Sequence, residues 1–212
     1  MERPGAHAGR RERTRAQVEE VALAVFREHG VDAVTVEQLC AAAGIAPATF
    51  YRYFGTKDGV LFAYRPAFLE VIREAVAALP GGLGRGEQVR VAMVRFADFL
   101  DEHADALSAR DDIVAENPVL LPRTLLVQRE WEIELAAALA RARGVPASDP
   151  AARLDAALGL LVVRVGVRRW RAGDAPTLAA AMPAAFDEVA GAQDRLRRPP
   201  PEATPGAVCA VR

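Results

Sequence analysis

Between Pro47 and Lys57 stand Thr49, Tyr51, Arg52, Tyr53 and Lys57, all hydrogen-bond donors, with no carboxylate among them. Donors without a counter-charge suit anionic oxygens. Hydroxyl and ammonium groups can hold phosphates, which fixes position on a nucleic acid without reading its sequence. Arg52 can do more, because a guanidinium grips O6 and N7 of guanine with two bonds. Pro47 and Ala48 offer apolar surface to thymine methyl groups. Each has a plainer reading: a tyrosine can lie half-buried on a neighbouring helix, and a surface lysine is often only solvated.

The elements that must position these groups are short. Thr35 is an N-cap candidate, and Gln38 three residues on completes a capping box. Leu39, Cys40 and Ala43 recur at helical spacing, and Gly44 supplies the left-handed residue past the helix end. Pro47 suits the first position of a new helix. That helix runs to Phe54, so it is ~12 Å long at ~1.5 Å per residue. It is a poor structural beam, yet it matches the ~12 Å width of the B-DNA major groove. Phe50 and Phe54 share the face that would pack on the first helix of the pair. The pattern is a helix-turn-helix with Pro47–Phe54 as recognition helix.

The block from about Arg13 to Leu61 resembles the N-terminal DNA-binding domain of TetR-type transcriptional repressors. The features are Phe26-Arg27-Glu28-His29-Gly30 closing helix one, a Thr-initiated helix, and Ala43-Gly44-Ile45. The aromatic run Phe50-Tyr51-Arg52-Tyr53-Phe54 and then Lys57 complete them. The resemblance places Thr35, Thr49, Tyr51, Tyr53 and Lys57 at the DNA backbone. It also implies a homodimer, whose recognition helices sit about 34 Å apart on a palindromic double-stranded operator. A small ligand in the C-terminal domain would shift the population towards a dimer that no longer fits that spacing. Two positions depart from the family pattern. Ala46 stands where Ser or Thr is usual, a lost cap costing about 1 kcal/mol. Gly59 stands where a helix capped by Thr56 would carry Glu.

The chain of 212 residues is 51% hydrophobic, and its 27 basic and 28 acidic residues leave a net charge of −1. That balance decides nothing about DNA, since only the facing surface need be basic. Cys40 and Cys209 are the two cysteines. One falls on a buried helix face and the other in a tail, so no disulfide is expected and a reducing cytoplasm fits. No apolar run reaches the ~20 residues of a membrane span, and the N-terminus has no apolar signal core. A cytoplasmic protein without a membrane partner is the expectation.

Along the chain, residues 1–9 lack periodicity and are expected to be disordered. Arg10, Arg11, Arg13 and Arg15 could reach phosphates or a minor groove, or could be a solvated helix start. Helix one should span about Glu12 to His29 on a stripe of Val18, Ala22, Val25 and Phe26. Lys57, the only lysine, opposes the macrodipole in the first turn of the next helix, an objection that a bound phosphate would reverse. That helix should reach Leu79, kinked or split at Pro66. Further helices are expected near residues 87–103, 105–115, 118–143, 151–172 and 176–196. The last two should pair with a second copy, with Gly159 and Gly166 allowing close approach.

The reading is all-α: an N-terminal three-helix helix-turn-helix domain (10–56) plus a C-terminal helical ligand-binding and dimerisation bundle (57–196). A disordered tail (197–212) follows. The expected function is a ligand-responsive, sequence-specific DNA-binding transcriptional regulator, a repressor released by a small-molecule effector. The alternative is a helical ligand-binding protein or enzyme that retains a non-functional helix-turn-helix. A third reading keeps DNA binding but fills the core, so that partners regulate it.

Enzymatic chemistry is thin. His7, His29 and His103 show no metal-ligand spacing. Asp101, Glu102, His103 and Asp105 read as a solvated helix end, and Asp111-Asp112 with Glu116 lacks the second acidic cluster that prenyl-transfer chemistry needs. No catalytic residue, metal or cofactor is expected. A ligand pocket could draw on Phe62, Phe68, Phe96 and Phe99, then Ile113, Leu121, Leu125 and Trp131, all of which could equally be core. Arg164 lies inside an apolar run; it must meet a carboxylate, turn outward, or bind an anionic ligand. The stretch from Glu116 to Trp131 resembles TetR-type members that bind acyl-CoA-like ligands, which implies a hydrophobic or acyl-CoA-like effector.

Overall fold

The computed structural model describes residues 4–197, with side chains from Arg13 onward. All elements of the described residues are helical: α1 (Pro4–His29), α2 (Val36–Ala43), α3 (Pro47–Phe54), α4 (Arg65–Ala77), α5 (Arg85–Glu102) and α6 (Ala104–Glu116) come first. They are followed by α7 (Leu121–Ala142), α8 (Pro150–Arg171) and α9 (Leu178–Arg197), with 3-10 turns at Asp58–Phe62 and Pro118–Leu120.

Local chemistry sets the first boundaries. Thr35 Oγ1 accepts from the Gln38 amide at 3.2 Å, and Gln38 Oε1 accepts from the Thr35 amide at 2.8 Å, closing the capping box. Gly44 takes φ 66°, and Ile45 N donates to Cys40 O at 3.0 Å. That left-handed residue ends α2 and turns the chain into α3. Helix α1 begins at Pro4, earlier than expected, since proline is tolerated in a first helical turn and Ala6 and Ala8 favour helix. The side chains of Arg10 and Arg11 lie outside the described residues, as do Cys209 and residues 198–212 of the expected tail; Arg197 still belongs to α9.

The long helix expected from Lys57 is two elements. Pro66 occupies the first turn of α4, where its missing N–H removes no helical bond, and the residues before it form the separate turn Asp58–Phe62. Gly59 is required in that turn. A Cβ there would fall well inside van der Waals contact with the Phe54 carbonyl oxygen, while the Gly59 amide donates to Thr56 Oγ1 at 3.1 Å. Close approach to the end of α3, rather than a lost capping box, explains this departure from the family pattern.

Two apolar cores result. The first holds Val18, Ala22 and Phe26 of α1 with Leu39, Cys40, Phe50, Phe54 and Val60–Ala63, and it takes in Ile113, Leu120 and Val127 from the later helices. The second joins α4, α5, α7, α8 and α9 around Phe68, Ile72, Met93, Phe96, Leu135, Leu139 and Met182. Trp131 packs against both. Gly159 and Gly166, expected at a copy–copy contact, are instead buried within the chain, against Val89 and Met93 and against Leu178 and Met182. The stripe of Leu178, Met182, Phe186 and Val189 on α9 also turns inward, because α5 and α8 already offer it an apolar face. Helix α8 does leave Leu154 and Leu161 outward.

Replacing Gly59 by Ala should destabilise the protein by at least about 2 kcal/mol, since the obstructing atom is a backbone carbonyl that cannot rotate away. Denaturant unfolding measures this; an unchanged midpoint would mean the turn has room to shift.

Candidate nucleic-acid interface

Phe50 and Phe54 are both buried, with ring centroids 5.0 Å apart, and they fix α3 on the first core. With those two rings inward, helical geometry turns the rest of the helix out. Pro47, Ala48, Tyr51 and Arg52 are exposed, while Thr49 and Tyr53 are half-buried. The half-burial of Tyr53 has a cause: its ring meets Phe54 edge-on at 6.1 Å and packs on the first core. The Arg52 guanidinium lies 5.2 Å from the Tyr53 ring centroid, so the ring steadies an otherwise free side chain. The tip of α3 therefore carries one guanidinium, two phenols and a threonine hydroxyl on one outward surface.

The flanking candidates have structural duties. Thr35 caps α2 and is exposed. Lys57 Nζ donates to the carbonyl oxygen of Val31 at 2.6 Å, tying the turn after α1 to the turn after α3. Backbone oxygens thus station the ammonium at the turn after α1, and Lys57 heads a five-residue 3-10 turn instead of a long helix. Asp58, the carboxylate next in sequence, is occupied: Arg123 Nη1 of α7 donates to its Oδ2 at 2.7 Å. Burial pushes the Asp58 carboxyl up, but hydrogen bonds from Thr56 and Arg123 and the charge of Arg123 outweigh it and hold the group below its ordinary value. The acid that follows the donors in sequence is thus paired with an arginine of the C-terminal helices.

The profile of bacterial regulatory proteins of the tetR family matches residues 20–64, and the MftR C-terminal domain profile matches residues 85–193. The HTH-type transcriptional regulator TcmR of Streptomyces glaucescens is 31% identical over 174 residues, which cover 79% of this chain and 77% of that protein. The chain belongs to the TetR family. It is also 25% identical over 189 residues, 89% of this chain and 96% of the relative, to the mycofactocin biosynthesis transcriptional regulator MftR of Mycobacterium tuberculosis. This TetR-family regulator shares its fold with SmeT, the repressor of the Stenotrophomonas maltophilia multidrug efflux pump SmeDEF. The TM-score is 0.55 and the identity 21%, over 84% of this chain and 89% of that one. A SmeT–triclosan complex aligns with a TM-score of 0.54 and 24% identity, over 91% of this chain and 99% of that one. The chain is a helix-turn-helix transcriptional regulator of all-α fold, and no described helix is long and apolar enough to cross a membrane.

The expected pocket residues of this TetR-family regulator fall into three groups. Phe68, Phe96, Phe99 and Trp131 come together, with Phe68 5.7 Å from Phe96, 5.3 Å from Phe99 and 5.2 Å from Trp131, centroid to centroid. Phe62 and Ile113 belong to the first core, because the turn carrying Phe62 and the α6 face carrying Ile113 pack on α1. Leu121 and Leu125 stand outward, 50% and 55% exposed, since Val127 and Leu135 take the inner side of α7. Arg164 also turns outward, on the exposed side of α8, and meets none of Glu116, Glu132 or Glu134 among the described contacts. The surface depressions at α1–α2 and at the ends of α4 and α7 are lined by none of these residues. The acidic residues serve helix ends: Asp101 accepts from the amides of Leu178 and Ala179 at 2.6 and 2.8 Å, and Asp111 and Asp112 pair with Arg171. Among the described residues no acidic, histidine or cysteine cluster could hold a metal ion.

The sequence reading missed Arg110, Glu19, Tyr64 and Arg123. Arg110 of α6 is 7% exposed, forms an ion pair with Glu19 of α1, and lies 4.4 Å from the Tyr64 ring centroid. A signal existed: Ala106, Arg110 and Ile113 fall at i, i+4 and i+7, on the stripe that α6 buries. Asp111 and Asp112, which follow it directly, disguised it as part of a solvated charge run. Burial pulls the Arg110 guanidinium down to about 10, with Asp111 pulling the other way. Burial raises the Tyr64 phenol, and Asp111 raises it further.

Ala46 holds the N-cap position of α3 with extended backbone (φ −76°, ψ 146°) and gives no side-chain hydrogen bond. Ala46→Ser should therefore supply the missing acceptor and add about 1 kcal/mol, read as a rise of roughly 2–4 °C in Tm. A fall in Tm would show that the hydroxyl cannot reach the first-turn amides.

Proposed function

We propose that this regulator is a homodimeric repressor that binds a palindromic double-stranded operator and releases it when a small hydrophobic or acyl-CoA-like effector occupies its C-terminal helices. The observation carrying the DNA half is the outward face of α3: donors without a carboxylate, on a helix seated by Phe50 and Phe54. Thr35, Thr49, Tyr51, Tyr53 and Lys57 take the phosphate backbone, Arg52 a guanine, and Pro47 and Ala48 apolar base edges. The outward leucines Leu154 and Leu161 of α8 support pairing of two copies, because exposed apolar side chains along one helix favour a covering partner. The effector half draws support from the aromatic group around Phe68 and from SmeT, a protein of this fold that forms a complex with triclosan. The division of labour is an N-terminal DNA-binding unit (10–56) and a C-terminal regulatory one (57–196). No catalysis is assigned, since the relatives are named as transcriptional regulators. The compartment is the cytoplasm, where the DNA is.

The mutual contact of the aromatic rings favours a second reading, in which the core stays filled and a partner protein releases the DNA. A ligand that releases operator DNA from the purified protein would dispose of it.

Selection of bound sequences from a random duplex pool at physiological salt tests the DNA half. A palindrome is the expected result; no enrichment would remove sequence-specific binding from the proposal. Tyr51→Phe and Lys57→Ala should each weaken binding to all duplexes alike, and Lys57→Ala should also lower Tm because Val31 O loses its donor. Unchanged affinity would take the residue out of the interface. Arg52→Ala should cost about 1–3 kcal/mol at one base pair only, whereas an equal loss on every sequence would make Arg52 a phosphate contact.

A further inference from the structure

The first three helices are carried on the later ones through a shared apolar core, to which Ile113, Leu120 and Val127 contribute. Burial of apolar surface is non-directional, whereas hydrogen bonds have a direction. Two directional ties span that contact. Arg110 of α6 pairs with Glu19 of α1. Arg123 of α7 reaches the turn after α3, where its Nη1 donates to Thr56 Oγ1 at 3.0 Å and to Asp58 Oδ2 at 2.7 Å. Its guanidinium also lies 4.8 Å from the Phe62 ring centroid. A planar cation with three attachments is fixed in direction as well as in place. Arg123 and Asp58 are only part-buried, so the pair adds little stability. What it supplies is geometry.

Motion at that turn passes directly to the recognition helix. Thr56 Oγ1 also accepts from the Gly59 amide at 3.1 Å, and Gly59 lies so close to the Phe54 carbonyl that no side chain fits there. Phe54 is the last residue of α3. The turn has no slack in which to absorb a shift, so α3 follows Asp58.

We propose that Arg123 is a specificity-determining residue for the operator: through Thr56 and Asp58 it sets the angle of α3 to the C-terminal helices, and with it the half-site spacing that two paired copies accept. Arg123 has this role only if two copies share one palindromic operator, the reading proposed above. Ties on α1 and behind α3 together define an orientation, whereas the α1 tie alone leaves a hinge. Arg123 acts through the turn and not on DNA, so its loss spares each half-site and relaxes the distance between them. One added base pair moves a half-site by about 3.4 Å and rotates it by about a tenth of a turn. A rigid pair of recognition helices rejects that change, and a hinged pair follows it.

The test uses the full-length protein and the half-site obtained by selection from the random pool. Binding is measured to that half-site alone, to the selected palindrome, and to palindromes with one base pair inserted or removed at the centre. The wild-type protein should prefer the selected spacing by at least about 10-fold, comparable to the cost of one mismatched base pair. Arg123→Gln should keep its half-site affinity within about 2-fold, because no DNA contact is lost. Its spacing preference should fall to about 3-fold or less, in the range for residues that couple sites without touching the ligand. Asp58→Asn should do the same, and the double variant should be no worse than either single one, since both break one contact. Comparing spacings within one variant cancels the general gain in DNA affinity that loss of a carboxylate brings. Tm should fall by no more than about 2–4 °C in each. If Arg123→Gln does not fold, Asp58→Asn carries the test alone. A spacing preference unchanged in these variants would overturn the role of Arg123 and leave the palindromic operator standing. Equal loss on half-site and palindrome would also overturn it, making the tie a support for α3 itself. No spacing preference in the wild-type protein, with half-site binding intact, would sink the two-copy reading and the role of Arg123 with it.

Discussion

An eight-residue helix cannot hold itself in place. Isolated helices of that length are marginal in water, because the first turn fixes several residues for a single hydrogen bond. Helix α3 exists as a positioned object only because Phe50 and Phe54 are sunk in the first core, each side chain contributing on the order of 1.5–3 kcal/mol of burial. Every donor on its outer face inherits its place from those two rings. The missing cap at Ala46 makes the dependence stronger, since the helix start receives no help from its own side chains.

That core does not belong to the first three helices alone. Ile113, Leu120 and Val127 come from α6, the turn Pro118–Leu120 and α7, and are buried in it. Polar ties run the same way: Arg15 Nη2 donates to Ala63 O at 2.6 Å, and Arg123 joins α7 to Thr56 and Asp58 in the turn after α3. Arg65 and Glu130 form an ion pair between α4 and α7. A surface pair is worth little by itself. Set around a shared apolar core, these pairs fix which surfaces meet, while burial supplies most of the stability. The cost is greatest for Arg110, whose charge is fully inside and depends on Glu19.

Local signals were legible where one short stretch determines the outcome. The capping box at Thr35, the left-handed Gly44, Pro47 at a helix start and the inward Phe50 and Phe54 need only neighbours within a few residues, and each has its expected geometry. The all-helical plan was legible for the same reason, and the break before Pro66 was legible because proline fits the first turn of a new helix and not the middle of a continuous one. Partner choice was not. The glycines of α8 and the stripe of α9 were assigned to a second copy, but periodicity says only that a face is buried, never against what. Leu121 and Leu125 show the complementary failure: an apolar residue gives no helical phase until the helix has met its neighbours, and of the three outcomes open to Arg164 only those neighbours select the outward one. Arg110 escaped because a buried charge just before two aspartates looks, in sequence, like a solvated one.

The two cores meet at a single large ring. Trp131 packs against both, so a change of volume in the second core has a direct route to the first. Interiors packed to crystal-like density do not absorb an added group by compressing. Anything placed beside Phe68 must displace a neighbour. Phe96 is backed by the buried rows of α5, whereas Tyr64 stands one residue before α4 and two after the turn that Gly59 locks to α3. Movement is therefore easiest on the Tyr64 side, and that side leads through Phe62 and Val60 to Phe54. The same turn that needs a glycine to approach α3 so closely is what makes α3 sensitive to the core behind it. A roomier residue there would tolerate a gap, and a gap would uncouple the recognition helix from the helices that follow.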